Sequence, residues 1–363
     1  MGKKEQNSAL NVTSGVQQPE SLNREAIKNL KALKKPIPNA VKLLEGIEKG
    51  DITTLSRAIT LIESALPEHY EAASEIISKA MPLSGKSIRI GITGVPGAGK
   101  STFIESFGNF LLSQGHKIAV LAIDPSSERS GGSILGDKTR METLAGNKNA
   151  FIRPSPSGGT LGGVARKTRE SVVLCEAAGF DVIIIETVGV GQSETTVQSM
   201  TDFFLALMIP GAGDELQGMK RGIMEMVNAL VVNKADGDFL DKANRSKAEY
   251  TNALHLYPLP PSGWAPRVLT CSSIEGTGIN EVWKIIKDYK DFSSKNGFFK
   301  VNRNQQNKYW LYQTLQEGLN NKFFNLPEIK EELQELEELL KKDQISPFSA
   351  AQSLLSRFFP DNK

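Results

Sequence analysis

The sequence has few of the residues that build metal centres and hydrolase triads. It holds two cysteines and three histidines in 363 residues, and no histidines lie at the spacing of paired metal ligands. A metal site built from histidine or cysteine, or a serine-histidine-aspartate triad, is therefore not expected. Cys175 and Cys271 each lie inside an apolar run, which predicts two buried, reduced thiols and a cytoplasmic protein rather than a disulfide.

Strong charge of one sign and long apolar runs are also missing. The formal net charge is +2, which leaves no electrostatic footprint for nucleic acid or for an anionic membrane. No apolar stretch approaches the roughly 20 residues of a membrane-spanning helix. Residues 1–24 are polar and rich in turn formers, so we expect a disordered tail without the apolar core of a secretion signal. Neither a nucleic-acid partner nor a membrane partner is predicted.

Three regions follow this tail. Residues 25–85 place apolar side chains at three- and four-residue spacing, which predicts a helical extension with Asp51 or Thr53 as an N-cap. Between 86 and 292, seven short apolar runs alternate with helical stretches, a pattern typical of an α/β, doubly wound, mostly parallel sheet. Residues 293–363 are predicted to be a C-terminal helical arm. The seven runs are SIRIGITG, KIAVLAID, AFIRPS, DVIIIETVG, FFLALMIPG, NALVVNKAD and PRVLTCSS.

The motif GVPGAGKS follows the first of these runs and opens a helical stretch. In this context G-x-x-x-x-G-K-S binds nucleotide phosphates through backbone N–H groups and a helix N-terminus. Lys100 would reach the β- and γ-phosphates, and Ser101 would ligate Mg²⁺. The alternative is a glycine-rich turn with a solvated lysine. The predicted nucleotide contacts in this motif are Gly94, Gly97, Ala98, Gly99, Lys100, Ser101 and Thr102.

The run NALVVNKAD contains Asn233, Lys234 and Asp236. A carboxylate at Asp236 can accept from both N1–H and the exocyclic amine of guanine, whereas adenine would leave that carboxylate desolvated. Lys234 would lie over the base, and Asn233 would brace the phosphate loop. The stretch TCSSIEGTGI, with Ser272 and Ser273, supplies a last base-contacting loop. These residues predict GTP and GDP as ligands, against the alternative of a surface strand–helix turn.

The stretch IIIETVGVGQSE runs from an apolar strand into Glu186 and Gly189. An acid at 186 can hold a Mg²⁺-bound water or orient the attacking water, and the Gly189 N–H can bind the γ-phosphate. Asp124 and Asp137, in LAIDPSSERSGGSILGDKTRM, are further candidates for the Mg²⁺ shell. Glu186 could instead be a solvated strand-end acid, and Asp137 a helix N-cap or a surface acid. The predicted catalytic residues are Lys100, Asp124, Asp137 and Glu186, and the predicted metal ligands are Ser101, Asp124, Asp137 and Glu186.

The stretch IPGAGDELQGMKRG, residues 209–222, follows the apolar run FFLALM and combines glycines with two acids and two bases. Glycines keep the ordering cost of such a loop adjustable, and its charges can exchange partners between two arrangements. By composition alone, a plain strand-to-helix connection with solvated charges is favoured.

Six strings in a fixed order carry a family resemblance: GVPGAGKS, DPSS, SGGSILGDKTRM, ETVGVGQSE, PGAGDELQGMKRG and NKAD. The chain resembles the methylmalonyl-CoA mutase-associated GTPases, the MeaB/ArgK-like family of SIMIBI-class P-loop GTPases. The resemblance covers about Ala40 to Phe292 by motif and the flanking helices by arrangement. It is specific, because ETVGVGQSE and GDELQG are not general GTPase strings.

This resemblance implies a GTPase domain with a helical N-terminal extension and C-terminal helices that form a homodimer. It implies a chaperone that uses GTP hydrolysis to gate adenosylcobalamin loading into a methylmalonyl-CoA mutase, and to protect or reactivate that enzyme. Asp124, Asp137 and Glu186 become the family's active-site acids. Ser273 departs from the alanine usual in the family, with little effect expected because the base contact there is a backbone N–H. The loop at 209–222 becomes a third switch that reaches the mutase through Asp214, Glu215, Gln217, Lys220 and Arg221.

The chain carries no identifiable arginine finger or catalytic glutamine in cis, so we expect slow GTP hydrolysis alone and stimulation by the mutase. Two other functions compete. A nickel-delivering metallochaperone GTPase would carry histidine-rich tails or cysteine pairs, which do not cluster here. An ATP-dependent transport kinase, the activity long attached to ArgK-like chains, conflicts with the NKAD motif and lacks a separate acceptor-binding domain.

Overall fold

A computed structural model describes residues 39–123, 141–154, 161–187, 193–211 and 221–358. Within this part of the chain, each of the seven predicted apolar runs forms a strand. The strands are β1 (Ile88–Gly94), β2 (Ile118–Ile123), β3 (Ala150–Arg153), β4 (Val182–Thr187), β5 (Phe203–Met208), β6 (Ala229–Val232) and β7 (Arg267–Thr270).

The strands form one sheet in the order β3-β2-β4-β1-β5-β6-β7. Each neighbouring pair is parallel. β1 lies at the centre, where Ile90 is opposite Ile184 of β4 and Phe203 of β5. Strands covered on both faces need apolar side chains at successive positions, which accounts for the continuous apolar runs. The predicted doubly wound α/β fold is confirmed, and the described sheet is wholly parallel.

Helices connect these strands and flank them at both ends of the chain. They are α1 (Ala40–Glu48), α2 (Ile52–Glu63), α3 (Tyr70–Ala80), α4 (Lys100–Ser113), α5 (Glu142–Ala145), α6 (Leu161–Ala177), α7 (Ser193–Gln198), α8 (Arg221–Met226), α9 (Leu240–His255), α10 (Ile279–Lys295), α11 (Phe298–Phe324), α12 (Pro327–Lys341) and α13 (Pro347–Phe358).

The core has two layers, one on each face of the sheet. On one face, α4 and α10 bury Phe103, Phe107 and Ile286 against β1 and its neighbours. On the other face, α6 and α9 pack on the sheet, and α1 to α3 join the same apolar cluster. Burial of this many large side chains is the main stabilising term in a domain of this size.

One helix cap fixes the start of α2 in the N-terminal extension, and one ion pair joins the extension to the sheet. Asp51 accepts from the Thr53 N–H at 3.0 Å and caps α2, so Asp51 rather than Thr53 is the N-cap. From the end of α2, Glu63 accepts from Arg153 Nε at 3.1 Å, at the carboxyl end of β3. The predicted tail at 1–24 lies outside the described residues.

The C-terminal helices follow directly from α10, which packs on the sheet. α10 continues past the predicted domain boundary at 292 to Lys295, and α11 follows after a turn at Gly297. α12 and α13 then bury a small apolar cluster of their own, made of Ile329, Leu336, Ala350 and Leu354. No helix in the described residues has both the length and the apolar character to cross a membrane.

Candidate nucleotide site

Four predicted segments meet at the carboxyl edge of the sheet. Because every described strand pair is parallel, β1, β4, β6 and β7 all end at this edge. β1 leads into the phosphate-loop motif, β4 ends beside Glu186, β6 leads into Asn233, and β7 leads into Cys271 and the serines that follow. Ligands of open parallel sheets bind at this edge.

Two glycines of the motif are required by the backbone. Gly94 ends β1, and a Cβ there would lie 2.3 Å from the Leu207 carbonyl oxygen of β5, so a side chain would separate the two strands. Gly99 has φ +81°, a left-handed conformation that glycine adopts without steric cost. The loop between them turns directly into α4, whose first residue is Lys100.

Lys100 is half-buried and folds back over its own loop. Its Nζ donates to the Gly94 carbonyl at 2.9 Å and lies 3.5 Å from the Val95 carbonyl. Burial lowers the pKa of Lys100, and the carboxylates of Glu186 and Glu194 oppose that shift. Two acids therefore stand within electrostatic reach of the ammonium that is predicted to bind phosphates.

Ser101 and Glu186 offer oxygen donors beside the loop. Ser101 Oγ lies 3.5 Å from Glu186 Oε1, and Glu186 is only 8% exposed. A hydroxyl and a carboxylate are the ligands that Mg²⁺ prefers. Among the residues that the structure describes, no three acids, histidines or cysteines form a metal cluster. Asp124 and Asp137, the other two predicted ligands, lie outside those residues.

Asn233 joins the phosphate loop to the loop that follows β7. Its Nδ2 donates to the Ala98 carbonyl at 2.8 Å. Its Oδ1 accepts from the Ser273 hydroxyl at 2.7 Å, from the Ser273 N–H at 3.2 Å and from Cys271 Sγ at 3.3 Å. Burial, reinforced by the charge of Asp236, raises the pKa of Cys271 to about 12, so the thiol keeps the proton that it donates.

Asp236 is oriented by one serine. Ser272 Oγ donates to Asp236 Oδ2 at 2.5 Å and accepts from the Glu275 N–H at 3.1 Å. The carboxylate is half-buried, and its second oxygen has no hydrogen bond to a described residue. Lys234 is exposed and has φ 60°, an uncommon conformation for a residue with a side chain. Such outliers occur where the backbone is held by its surroundings.

Sequence reasoning missed Glu194. This acid is in α7, directly after the ETVGVGQS stretch, and is 6% exposed. Its charge acts on Lys100. The sequence signal was present, since Glu194 is the last letter of the quoted motif, but nothing in the motif indicated burial.

Some of the remaining predicted residues are described by the structure, and others lie in undescribed segments. Arg221 begins α8, and Thr102 is an exposed residue in the first turn of α4. Gly97 has φ +80° in the phosphate loop, with open space around its Cα. The residues outside the described part are Gly189, Asp214, Glu215, Gln217 and Lys220.

Comparison with known families agrees with this geometry. Residues 55–328 match the model of a family described as methylmalonyl Co-A mutase-associated GTPase MeaB. The chain belongs to the MeaB family. It is accordingly a P-loop GTPase, which catalyses hydrolysis of GTP to GDP and phosphate, and the resemblance drawn from the six motifs is confirmed.

Individual relatives of this MeaB-family chain extend over most of its length. A putative GTPase of Caulobacter vibrioides is 53% identical over 309 residues, which cover 85% of this chain and 94% of that protein. The mitochondrial methylmalonic aciduria type A homolog of Mus musculus is 45% identical over 327 residues, covering 87% and 79%. The crystal structure of an LAO/AO transport system kinase superposes with a TM-score of 0.69 at 38% identity, covering 88% and 97%.

Proposed function

We propose that this GTPase is a chaperone for an adenosylcobalamin-dependent mutase of the methylmalonyl-CoA type. In this proposal GTP binding and hydrolysis gate loading of the cobalamin cofactor into the mutase, and help to protect or reactivate it. The observation that carries the proposal is the match of residues 55–328 to a family defined by its association with methylmalonyl-CoA mutase. The name of the mouse relative, which refers to methylmalonic aciduria, supports the same client.

The nucleotide site proposed for this activity has a phosphate half and a base half. The backbone of the phosphate loop and Lys100 would hold the β- and γ-phosphates at the N-terminus of α4, with Gly189 donating to the γ-phosphate. At the other end Asp236 would bind guanine. Asn233 joins the halves through its 2.8 Å bond to Ala98, which supports a pocket in which occupancy by the base affects the phosphate loop.

The donors beside the phosphate loop fit Mg²⁺. Ser101 and Glu186 would hold it, together with Asp124 and Asp137 from the adjacent stretch of chain. Bound there, Mg²⁺ would neutralise charge on the phosphates during transfer to water. These three acids and Lys100 supply charge without an arginine finger in cis, so we infer a slow basal rate that the mutase increases.

The stretch at 209–222, with Asp214, Glu215, Gln217, Lys220 and Arg221, is proposed as the switch that reaches the mutase. The structure describes both ends of this stretch. The Gly211 N–H donates to Ser246 Oγ of α9 at 3.0 Å, and α8 begins at Arg221.

The Lys220→Ala variant tests this role. We expect basal GTP hydrolysis to be unchanged and stimulation by the adenosylcobalamin-dependent mutase to disappear. Lys284→Ala, an exposed lysine of α10 on the face of the sheet opposite to α8, is the matched control and should retain stimulation. Loss of basal hydrolysis in Lys220→Ala would instead assign Lys220 to nucleotide chemistry. Absence of stimulation in the unmodified protein would contradict the proposed client.

A homodimer through the C-terminal arm is also proposed. α11 packs on the sheet layer through Arg303, Gln306 and Trp310. Its opposite face carries an apolar stripe at helical spacing, each member 52–58% exposed. The stripe consists of Leu311, Tyr312, Leu315 and Leu319. Contiguous exposed apolar side chains of this kind mark interaction surfaces.

Sedimentation or light scattering tests the dimer. Leu315→Glu should shift the protein to monomer, since it buries a charge in the proposed interface. Leu256→Glu, a substitution of the same type at a leucine that is 87% exposed, should leave the assembly unchanged. A monomeric unmodified protein, or a dimer that survives Leu315→Glu, contradicts the proposed interface.

Cytoplasmic location is the remaining proposal. It is supported by the two thiols, Cys175 and Cys271, which are both buried and unpaired with each other. A kinase role, as in the name of the transport-system protein, would require ATP. The arrangement of Asp236 and Ser272 favours guanine, and direct comparison of GTP and ATP binding decides between the two nucleotides.

A further inference from the structure

The hydroxyl of Ser273, in the loop after β7, makes the shortest hydrogen bond that Asn233 receives from that loop. Ser273 Oγ donates to Asn233 Oδ1 at 2.7 Å, whereas the Ser273 N–H and Cys271 Sγ donate to the same oxygen at 3.2 and 3.3 Å. A thiol is a weak donor, and an N–H bond of this length is at the long end of the normal range. The hydroxyl is therefore the main donor to this oxygen.

Both partners of this bond are removed from water. Asn233 is 2% exposed and Ser273 is 7% exposed. A buried acceptor that loses its donor cannot replace it easily with water, so the loss costs more than it would at the surface. Without the hydroxyl, the oxygen of Asn233 would keep only a long N–H bond and a thiol, and the side chain would be held less firmly at this end.

The other end of the same side chain bonds to the phosphate loop. Asn233 Nδ2 donates at 2.8 Å to the carbonyl of Ala98, which is fully buried. A Cβ on the next residue, Gly99, would lie 3.1 Å from Asn233 Nδ2, so the loop packs directly on the amide. Because the carbonyl and the NH₂ belong to one amide group, a displacement of its oxygen also displaces the nitrogen that bonds to the loop.

The loop that carries Ser273 is a fixed support. The Ser272 N–H donates across the loop to the Thr277 carbonyl at 3.0 Å. Gly278 has φ +78°, and a Cβ there would lie 2.4 Å from the carbonyl oxygen of Thr270, the last residue of β7. The loop thus closes tightly on the end of a core strand, and Ser273 bonds to Asn233 from a firm position.

We propose that Ser273 is a positioning residue for the phosphate loop. Through Asn233, its hydroxyl holds the Ala98 carbonyl and so keeps the loop closed around the phosphates, which slows release of the nucleotide. The hydroxyl acts through Asn233 and not by touching the nucleotide. The proposal rests on the proposed guanine-nucleotide site, and it replaces the expectation that serine and alanine are equivalent at position 273.

Ser273→Ala is the principal test, because it removes the hydroxyl and keeps the N–H. We expect the dissociation rate of a fluorescent GDP analogue to rise about fivefold, the equivalent of one buried hydrogen bond. The KM for GTP should rise by a similar factor, whereas kcat should change less than about twofold. Dissociation is measured by stopped flow, at a temperature where circular dichroism shows each variant fully folded.

Ser87→Ala is the matched control. Ser87 is 1% exposed, and its hydroxyl donates to a buried side-chain oxygen, Glu176 Oε1, at 2.6 Å. It directly precedes β1 and therefore lies at the amino edge of the sheet, away from the carboxyl edge where the phosphate loop begins. Both variants should lower the melting temperature, and only Ser273→Ala should speed release of the nucleotide.

Asn233→Ala tests the route by which the hydroxyl acts. This variant should release the GDP analogue faster than the unmodified protein. Ser273→Ala added to it should cause no further increase, because the partner of the hydroxyl is already absent. A full additional increase in the double variant would mean that Ser273 acts on the nucleotide by another route, and would overturn the proposal.

Two other results would overturn it. The first is an unchanged dissociation rate in folded Ser273→Ala, and the second is an equal rise in Ser87→Ala, which would make the effect one of general stability. Asn233→Ala also separates this inference from the site on which it rests. Unchanged release in that variant removes the proposed link between the base and phosphate halves. Faster release there, beside normal release in Ser273→Ala, removes only the positioning role of the hydroxyl.

Discussion

Asp236→Asn is predicted to change the preferred base of this GTPase from guanine to xanthine. The reason lies in Ser272, whose hydroxyl accepts from the Glu275 N–H and donates to Asp236 Oδ2. With asparagine at 236, that hydroxyl proton still needs an acceptor. The amide oxygen therefore turns toward Ser272, and the amide NH₂ turns toward the base. The N1–H and the exocyclic amine of guanine are both donors and would then face the amide NH₂, which is also a donor. The 2-oxo group of xanthine is an acceptor and can bond to that NH₂.

The expected size of the effect follows from the bonds exchanged. A hydrogen bond to a charged group contributes about 1.5–3 kcal/mol. Loss of a bidentate pair of such bonds, partly offset by water, corresponds to about 3 kcal/mol, or on the order of 100-fold in Kd for GTP. Xanthosine triphosphate should gain affinity over its value in the unmodified protein.

The assay is competition of GTP and xanthosine triphosphate against a fluorescent guanine nucleotide, in the single variant and in Ser272→Ala/Asp236→Asn. Without the serine the amide can rotate, so the double variant should recover about tenfold of the lost GTP affinity, the worth of one restored hydrogen bond. The reasoning fails if Asp236→Asn loses GTP without gaining xanthosine triphosphate, or if removal of Ser272 leaves the discrimination unchanged.

Three further outcomes concern stability and reactivity. Asp202→Asn should lower the free energy of unfolding in urea by about 3 kcal/mol, since the Asp202 side chain is 1% exposed and pairs with Arg303; Glu338→Gln, at an exposed pair, should cost about 0.5 kcal/mol or less. Burial alone would raise the pKa of Glu176, but hydrogen bonds and a neighbouring arginine outweigh it and lower that pKa. Its stabilisation is therefore present above the ordinary value of 4.5 and is lost as the pH falls through the lowered value, so Glu176→Gln should flatten the acid side of a stability-against-pH curve. Cys271, with a pKa raised to about 12 by burial, should resist iodoacetamide at pH 8 until the protein unfolds, as thiol counting by mass spectrometry would show.

The strands and the phosphate loop could be predicted because their signals are local. An apolar run of strand length and a glycine motif directly after it contain their own evidence. The order of the sheet has no such signal, since nothing in the runs that form β4 and β5 shows that both lie beside β1.

Long-range polar contacts could not be predicted from the sequence, for a different reason. Arg303 and Asp202 are 101 residues apart in the chain, and each alone has the composition of a surface charge. Glu194 is similar, since its burial depends on how α7 packs rather than on its neighbours in sequence. Sequence motifs identify the groups that meet a ligand, and only the fold identifies the groups that hold those motifs in position.

Because α11 uses two opposite faces, the number of residues that separates the two sets of contacts matters as much as their identity. One face grips the GTPase core at Arg303 and Trp310, and the other presents leucines from position 311 onward. One residue inserted between Trp310 and the leucines would rotate every later residue of the helix by about 100°. The apolar stripe would then point away from any partner, although none of its side chains had changed. Insertions and deletions in this helix are thus expected to be far more harmful than substitutions, and a whole-turn change the least damaging among them.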